Sequence, residues 1–210
     1  MSKIKLEKLP SILTETKFNE KGLVETDSGL LVPAYTASEL IFSFPGTFFL
    51  NNYFYPKLKE NGIFPMCPLD ACGEYLDLSQ INEEMTLKQY RQLWEDFDKI
   101  LAVINYEKLM PKSKLLIASF DGSHHVDDGV ASEVAYFAEK YNGNIIGIRS
   151  DIRMCENIAS PINAAVRYFS DHTRSPYNSQ FFQGIGEEPY KEAFKAIKTL
   201  TERIIENSQN

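Results

Sequence analysis

Acids and histidines crowd one short stretch of this chain, Asp121-Gly-Ser-His-His-Val-Asp-Asp-Gly-Val-Ala-Ser-Glu133. An apolar run, Leu115-Leu-Ile-Ala-Ser-Phe120, leads into it and reads as a buried parallel strand. A helical pattern follows from Val130 to Glu139. The spacing therefore ends a strand on Asp121, offers Asp127 and Asp128 from a loop, and puts Glu133 in the first turn of a helix. Ligands of open α/β sheets bind at the carboxyl ends of the strands. Carboxylates gathered there repel one another and lose solvation, so the cluster is expected to be a site and not scaffold. Asp128 suits an N-cap. Glu133, near a helix N-terminus, is favoured in its ionised form.

His124 and His125 beside Asp127 and Asp128 imitate metal ligands. Sequence neighbours point apart, however, and no His-x-His or His-x-x-x-His spacing supports them, so no metal is expected and the histidines are assigned to the rim of the site or to a ligand contact. Ser132 lies outside any Gly-x-Ser-x-Gly elbow, and the turn Phe44-Pro-Gly46 has no Gly-x-Gly-x-x-Gly, so neither serine-hydrolase nor dinucleotide chemistry is supported. No cofactor is expected.

The elements that must position these groups follow in order. Residues 1–38 read as an N-terminal extension with short strands around Asp27-Ser-Gly29, and residues 39–210 as one catalytic domain. Glu39 to Phe44 reads as the first core strand, and Thr47 as the cap of a helix from Phe48 to Glu60. Ile63 to Cys67 is the second strand, placed at an edge by Pro65. The segment Pro68 to Glu84 reads as irregular. Apolar residues at helical spacing run from Met85 to Asn105. After the Leu115–Asp121 strand and the Val130 helix, Asn144 to Arg149 is strand four, Ala164 to Phe169 strand five, and Glu187 to Asn207 an amphipathic helix. Strands alternating with helices predict an α/β fold with a mainly parallel, five-stranded sheet.

The chain has 210 residues, 43% of them hydrophobic, and a net charge of −7. That suits one domain with a substantial core. With no basic stripe, polymeric nucleic acid is excluded as a partner. Three cysteines with no paired spacing, and a start without an apolar leader block, predict reduced thiols and a cytoplasmic protein. No apolar run approaches the ~20 residues a membrane helix needs.

The motif Asp127-Asp-Gly-Val-Ala-Ser-Glu133 resembles that of the nucleoside 2-deoxyribosyltransferase family, Asp-x-Gly-Thr-x-x-Glu-[Val/Ile]-Gly, with Val130 for the Thr and Ala135 for the last Gly. Ile41-Phe-Ser-Phe-Pro-Gly-Thr-Phe-Phe49, Gly147 to Arg153, and Ser160-Pro-Ile-Asn163 look like its outer segments, so the resemblance spans roughly residues 39 to 170. It implies a flavodoxin-like three-layer sandwich and a homo-oligomer with shared active sites. It also implies transfer of deoxyribose between nucleobases through a glycosyl-enzyme, as in nucleotide salvage. Carried over by position, Glu133 is the nucleophile, Asp121 the acid near the base and Asp127 the group on the sugar 5′-hydroxyl. Asn163 is lent to a neighbouring site, and Phe44, Gly46, Phe48 and Gly129 contact substrate. The expected partners are small nucleosides and nucleobases. Related nucleotide hydrolases carry Ser where Asp127 stands, which favours nucleosides.

The chemistry is consistent with this assignment. Breaking an N-glycosidic bond builds positive charge on the sugar, and a carboxylate beneath the anomeric carbon can stabilise it and attack. The family's strand-one tyrosine, which bonds the nucleophile, aligns without gaps to Phe42; either Tyr136 or Ser132 supplies the hydroxyl, or turnover or substrate choice differs, or the protein has drifted from catalysis. Hydrolysis of the same bond, or nucleotide binding without turnover, are the alternatives.

Overall fold

The computed structural model describes residue 6 and residues 8–75, 81–82, 84–122, 125–151, 162–173 and 176–209. Strands β1 (Val24–Thr26), β2 (Gly29–Ser38), β3 (Ile63–Met66), β4 (Leu115–Ser119), β5 (Asn144–Arg149) and β6 (Ser179–Gln183) form one sheet. The helices are α1 (Ser11–Thr14), α2 (Phe44–Phe49), α3 (Tyr55–Glu60), α4 (Pro68–Gly73), α5 (Leu87–Ala102), α6 (Asp128–Tyr141), α7 (Ala164–Ser170) and α8 (Glu188–Gln209). The parallel strands lie in the order β3-β2-β4-β5-β6, the flavodoxin-like arrangement, and β1 adds an antiparallel hairpin to the start of β2.

Alternation along the central strands feeds two cores. Tyr35, Ala37, Leu116, Ala118 and Ile145 face α4, α5, α6 and α7. Val32, Ala34, Leu115, Ile117 and Ile146 face α2, α3 and α8. β2 is buried on both faces from Val32 to Ala37, which is why it reads as a run and not as an alternating strand.

Several sequence expectations are corrected here. Residues 29–38 are no extension: they are the strand between β3 and β4, and Pro33 is tolerated in it. Residues Glu39–Phe42 form a single helical turn instead of a strand, because the Ser38 hydroxyl accepts from the Leu40 N–H. Ser43, not Thr47, caps α2, accepting from the Gly46 N–H. Ala164–Ser170 is helical, since Asn163 caps it through the Ala165 N–H. The last parallel strand is instead β6, so the sheet has six strands among the described residues. Pro68–Gly73 is a short helix within the segment read as irregular. Pro65 does sit on an edge strand, since β3 pairs only β2 among the described residues.

Candidate active site

Glu133 lies on α6 beside the buried stripe Val130, Val134, Phe137 and Ala138. The helix begins at Asp128 with Asp127 as its cap, accepting from the Val130 N–H at 3.0 Å. Glu133 is thus in the second turn, beyond the reach of the N-terminal dipole, and Asp127 takes the cap expected of Asp128. Its position above β2 is set by the α6–sheet packing.

The Tyr35 hydroxyl donates to Glu133 Oε1 at 2.5 Å, and Asn105 Nδ2 donates to the same oxygen at 3.1 Å. Tyr35, fully buried in the middle of β2, supplies the hydroxyl on Glu133 expected of Tyr136 or Ser132. Neither proposed substitute serves. Ser132 bonds the Gly129 carbonyl at 2.9 Å and the Tyr106 hydroxyl at 3.3 Å, and Tyr136 packs edge-on against Tyr106. Asn105 sits in a π-helical stretch, Val103–Leu109, that continues α5.

Burial pushes the Glu133 carboxyl up to about 7, and the Asp127 charge pushes the same way. The hydrogen bonds from Tyr35 and Asn105 pull against both by favouring the charged form. The Tyr35 phenol is itself held well above its ordinary value by burial and by the Glu133 charge, so it remains a donor.

Glu133, Asp127 and Gly129 line a cavity of about 150 Å³ at the carboxyl end of β2, closed by Thr36, Asn105 and Phe97. Phe42, 75% exposed, stands at this cavity. A second and larger cavity, about 760 Å³, is lined by Gly46, Phe48, Tyr53, Asp121 and Tyr190. The predicted site residues are thus divided between the two cavities. Phe44 is 84% exposed and lines neither cavity, and Asn163 is occupied as a helix cap.

Asp121 Oδ1 accepts from the backbone N–H groups of Ser150 and Asp151 at 2.7 and 2.8 Å. Its Oδ2 accepts from the Ser150 and Tyr190 hydroxyls at 2.6 and 2.8 Å. Four donors make it a clasp joining the ends of β4 and β5 to α8 at the edge of this cavity. Arg149 is 1% exposed and donates to the Phe120 carbonyl. His125 is exposed, whereas His124, Arg153, Cys155, Ser160 and Pro161 lie outside the described residues.

Cys67 and Cys72 are free thiols. Among the described residues no group of three His, Cys, Asp or Glu is disposed to hold a metal ion, and no helix is long and apolar enough to cross a membrane.

Sequence reasoning missed Tyr35 and Asn105. The signal for Tyr35 was present, as a lone tyrosine in the apolar run Val32-Pro-Ala-Tyr-Thr-Ala37, but Pro33 and the nearby turn disguised the strand. Asn105 closed a helix already recognised, and nothing local distinguished it.

No protein-family model matches the sequence, and no curated protein matches it. Among solved structures, the chain is similar to a conserved protein from Enterococcus faecalis V583, 18% identical with a TM-score of 0.46, covering 79% of this chain and 98% of that one. It is also similar to the 2-desoxiribosyltransferase from Leishmania mexicana, 15% identical with a TM-score of 0.42, covering 78% and 97% of the two chains. Overlaps at this level carry no argument about function, and the functional reading rests on the geometry of the site.

Proposed function

We propose that this protein is a glycosyl transferase of the nucleoside 2-deoxyribosyltransferase type, cleaving 2′-deoxynucleosides at C1′ and passing the sugar to another nucleobase. The observation that carries this reading is the Glu133 carboxylate, held through Oε1 by Tyr35 and Asn105 at a cavity it shares with Asp127. A cavity of about 150 Å³ suits a sugar ring with its base projecting outward past Phe42. Asp127 accepts from a neutral 5′-hydroxyl and repels a 5′-phosphate, which selects nucleosides.

In the first half-reaction a Glu133 carboxylate oxygen bonds to C1′ as the C1′–N bond breaks. The electron pair goes to the base, which takes a proton from water at the mouth of the cavity. In the second, a nitrogen of the incoming base bonds to C1′, its proton leaves to water, and Glu133 departs as carboxylate. Splitting one difficult displacement into two lowers the barrier of each. Only the ionised form attacks, so the rate rises with pH through about 7, where the carboxyl titrates.

The test is incubation of a deoxynucleoside with a different free base. Formation of the new nucleoside, its loss in Glu133→Gln, and a deoxyribosyl adduct on Glu133 by mass spectrometry are expected. Release of free sugar alone would make the enzyme a hydrolase, and exchange persisting in Glu133→Gln would remove Glu133 from the chemistry.

A further inference from the structure

We propose that Asn105 is a positioning residue for Glu133, and that the buried Cys72 thiol holds its amide in the one sense that lets it act. The proposal rests on the reading of Glu133 as the nucleophile and adds a second element to its control, independent of Tyr35.

The geometry is a chain of single-sense contacts. Cys72 Sγ donates to Asn105 Oδ1 at 3.9 Å, and Asn105 Nδ2 donates to Glu133 Oε1 at 3.1 Å, where the Tyr35 hydroxyl also arrives. Cys72 is fully buried and Asn105 is 5% exposed. Burial pushes the Cys72 thiol up to about 12, so it keeps its proton and remains a donor. An amide has a donor end and an acceptor end. Rotated by half a turn, Asn105 would set its carbonyl against the Glu133 carboxylate, a repulsion, and would give up the S–H···O bond for a weak N–H···S one. Cys72 therefore selects the orientation that feeds a hydrogen to Glu133.

The backbone supports the same assignment. Asn105 is a buried polar residue in a wall otherwise built of Phe97, Ile104 and Leu109, a placement that costs desolvation unless it is bonded. The helix bearing it widens into π geometry over Val103–Leu109, a form that recurs where a helix must re-aim a side chain at a functional site. With Tyr35 and Asn105 both on Oε1, that oxygen is committed to hydrogen bonding. Glu133 Oε2 carries no protein hydrogen bond among the described residues and is the oxygen left for C1′.

The experiment compares the full chain with Asn105→Ala, Cys72→Ala and Cys72→Ser, reading base-exchange kinetics and the Glu133 carboxyl-carbon titration by NMR. Removing a donor to a carboxylate disfavours its charged form, so Asn105→Ala moves the Glu133 midpoint upward by about one unit and lowers kcat about ten- to a hundredfold, with KM changed less than about twofold. Cys72→Ala moves both in the same direction by less, and Cys72→Ser, which restores a donor, returns them toward wild type. A Glu133 titration unmoved in Asn105→Ala overturns the proposal, whatever happens to melting temperature. So does a Cys72→Ala chain that titrates and turns over as wild type. If the wild-type chain exchanges no base while the titration still moves, the nucleophile reading fails and the Asn105–Glu133 coupling stands, so the two failures are distinguishable.

Discussion

Glu133→Gln should abolish base exchange and at the same time make the protein more stable at neutral and alkaline pH. The carboxyl titrates near 7 in the folded chain against an ordinary 4.5, chiefly because burial disfavours its charge. A group whose folded value is raised binds its proton more tightly in the native state than in the unfolded one. Native stability therefore falls as pH rises from about 4.5 to about 7, and is flat with respect to this group above that. At about 1.4 kcal/mol per unit, the full loss is on the order of 3 kcal/mol, and solvent reaching a half-buried carboxylate trims it toward ~2. Glutamine keeps the shape and can accept from both Tyr35 and Asn105 without carrying charge. Urea unfolding of both proteins from pH 4.5 to 9 is the assay. Expected is a stability difference near zero at the acid end, growing to ~2–3 kcal/mol in favour of Glu133→Gln by pH 8, a midpoint shift on the order of 1 M. A pH-independent difference, or a glutamine variant less stable at pH 8, would refute the account of a strained ionised nucleophile.

Three other perturbations have definite signs. Tyr35→Phe removes a donor that favours the Glu133 charge, so the acid limb of the pH–rate profile should move upward by about one unit, with part of the lost rate recovered at alkaline pH. Asp127→Ala removes a charge that raises Glu133, so the same limb should move downward. It also loses the cap to Val130, costing about 1 kcal/mol by thermal or urea melts, and steady-state kinetics should show a raised KM for nucleosides. Asp121→Ala strands the Ser150, Asp151 and Tyr190 donors, for a cost on the order of 3 kcal/mol and a melting temperature lower by roughly 6–12 °C. It should leave the Glu133 midpoint in place. An Asp121→Ala chain that melts normally but no longer turns over would place that residue in the chemistry.

Much of the scaffold and the centre of the site were legible in the residues themselves. Strand β5 was read with its observed bounds, β4 and α6 within two residues, and the amphipathic tail as α8, because each carries a local signature: an apolar run, an acid at the helix start, a stripe at helical spacing. The Asp127–Glu133 spacing likewise survives in three dimensions, since the cap and the second turn of one helix line one cavity. Where the local signal was shared between alternatives, packing decided. Ala164–Ser170 is apolar enough for a strand but is capped as a helix by Asn163, and Pro33 disguised the strand that crosses the middle of the sheet. Asp121 and Glu133 stand only twelve positions apart, yet consecutive elements of an α/β fold diverge at a strand's end, and the two carboxylates line separate cavities. The partners of Glu133 come from β2, 98 positions away, and from the end of the helix that precedes β4, 28 positions away. No spacing rule reaches so far: hydrogen bonds between elements depend on how two layers dock, and only the folded chain makes that choice.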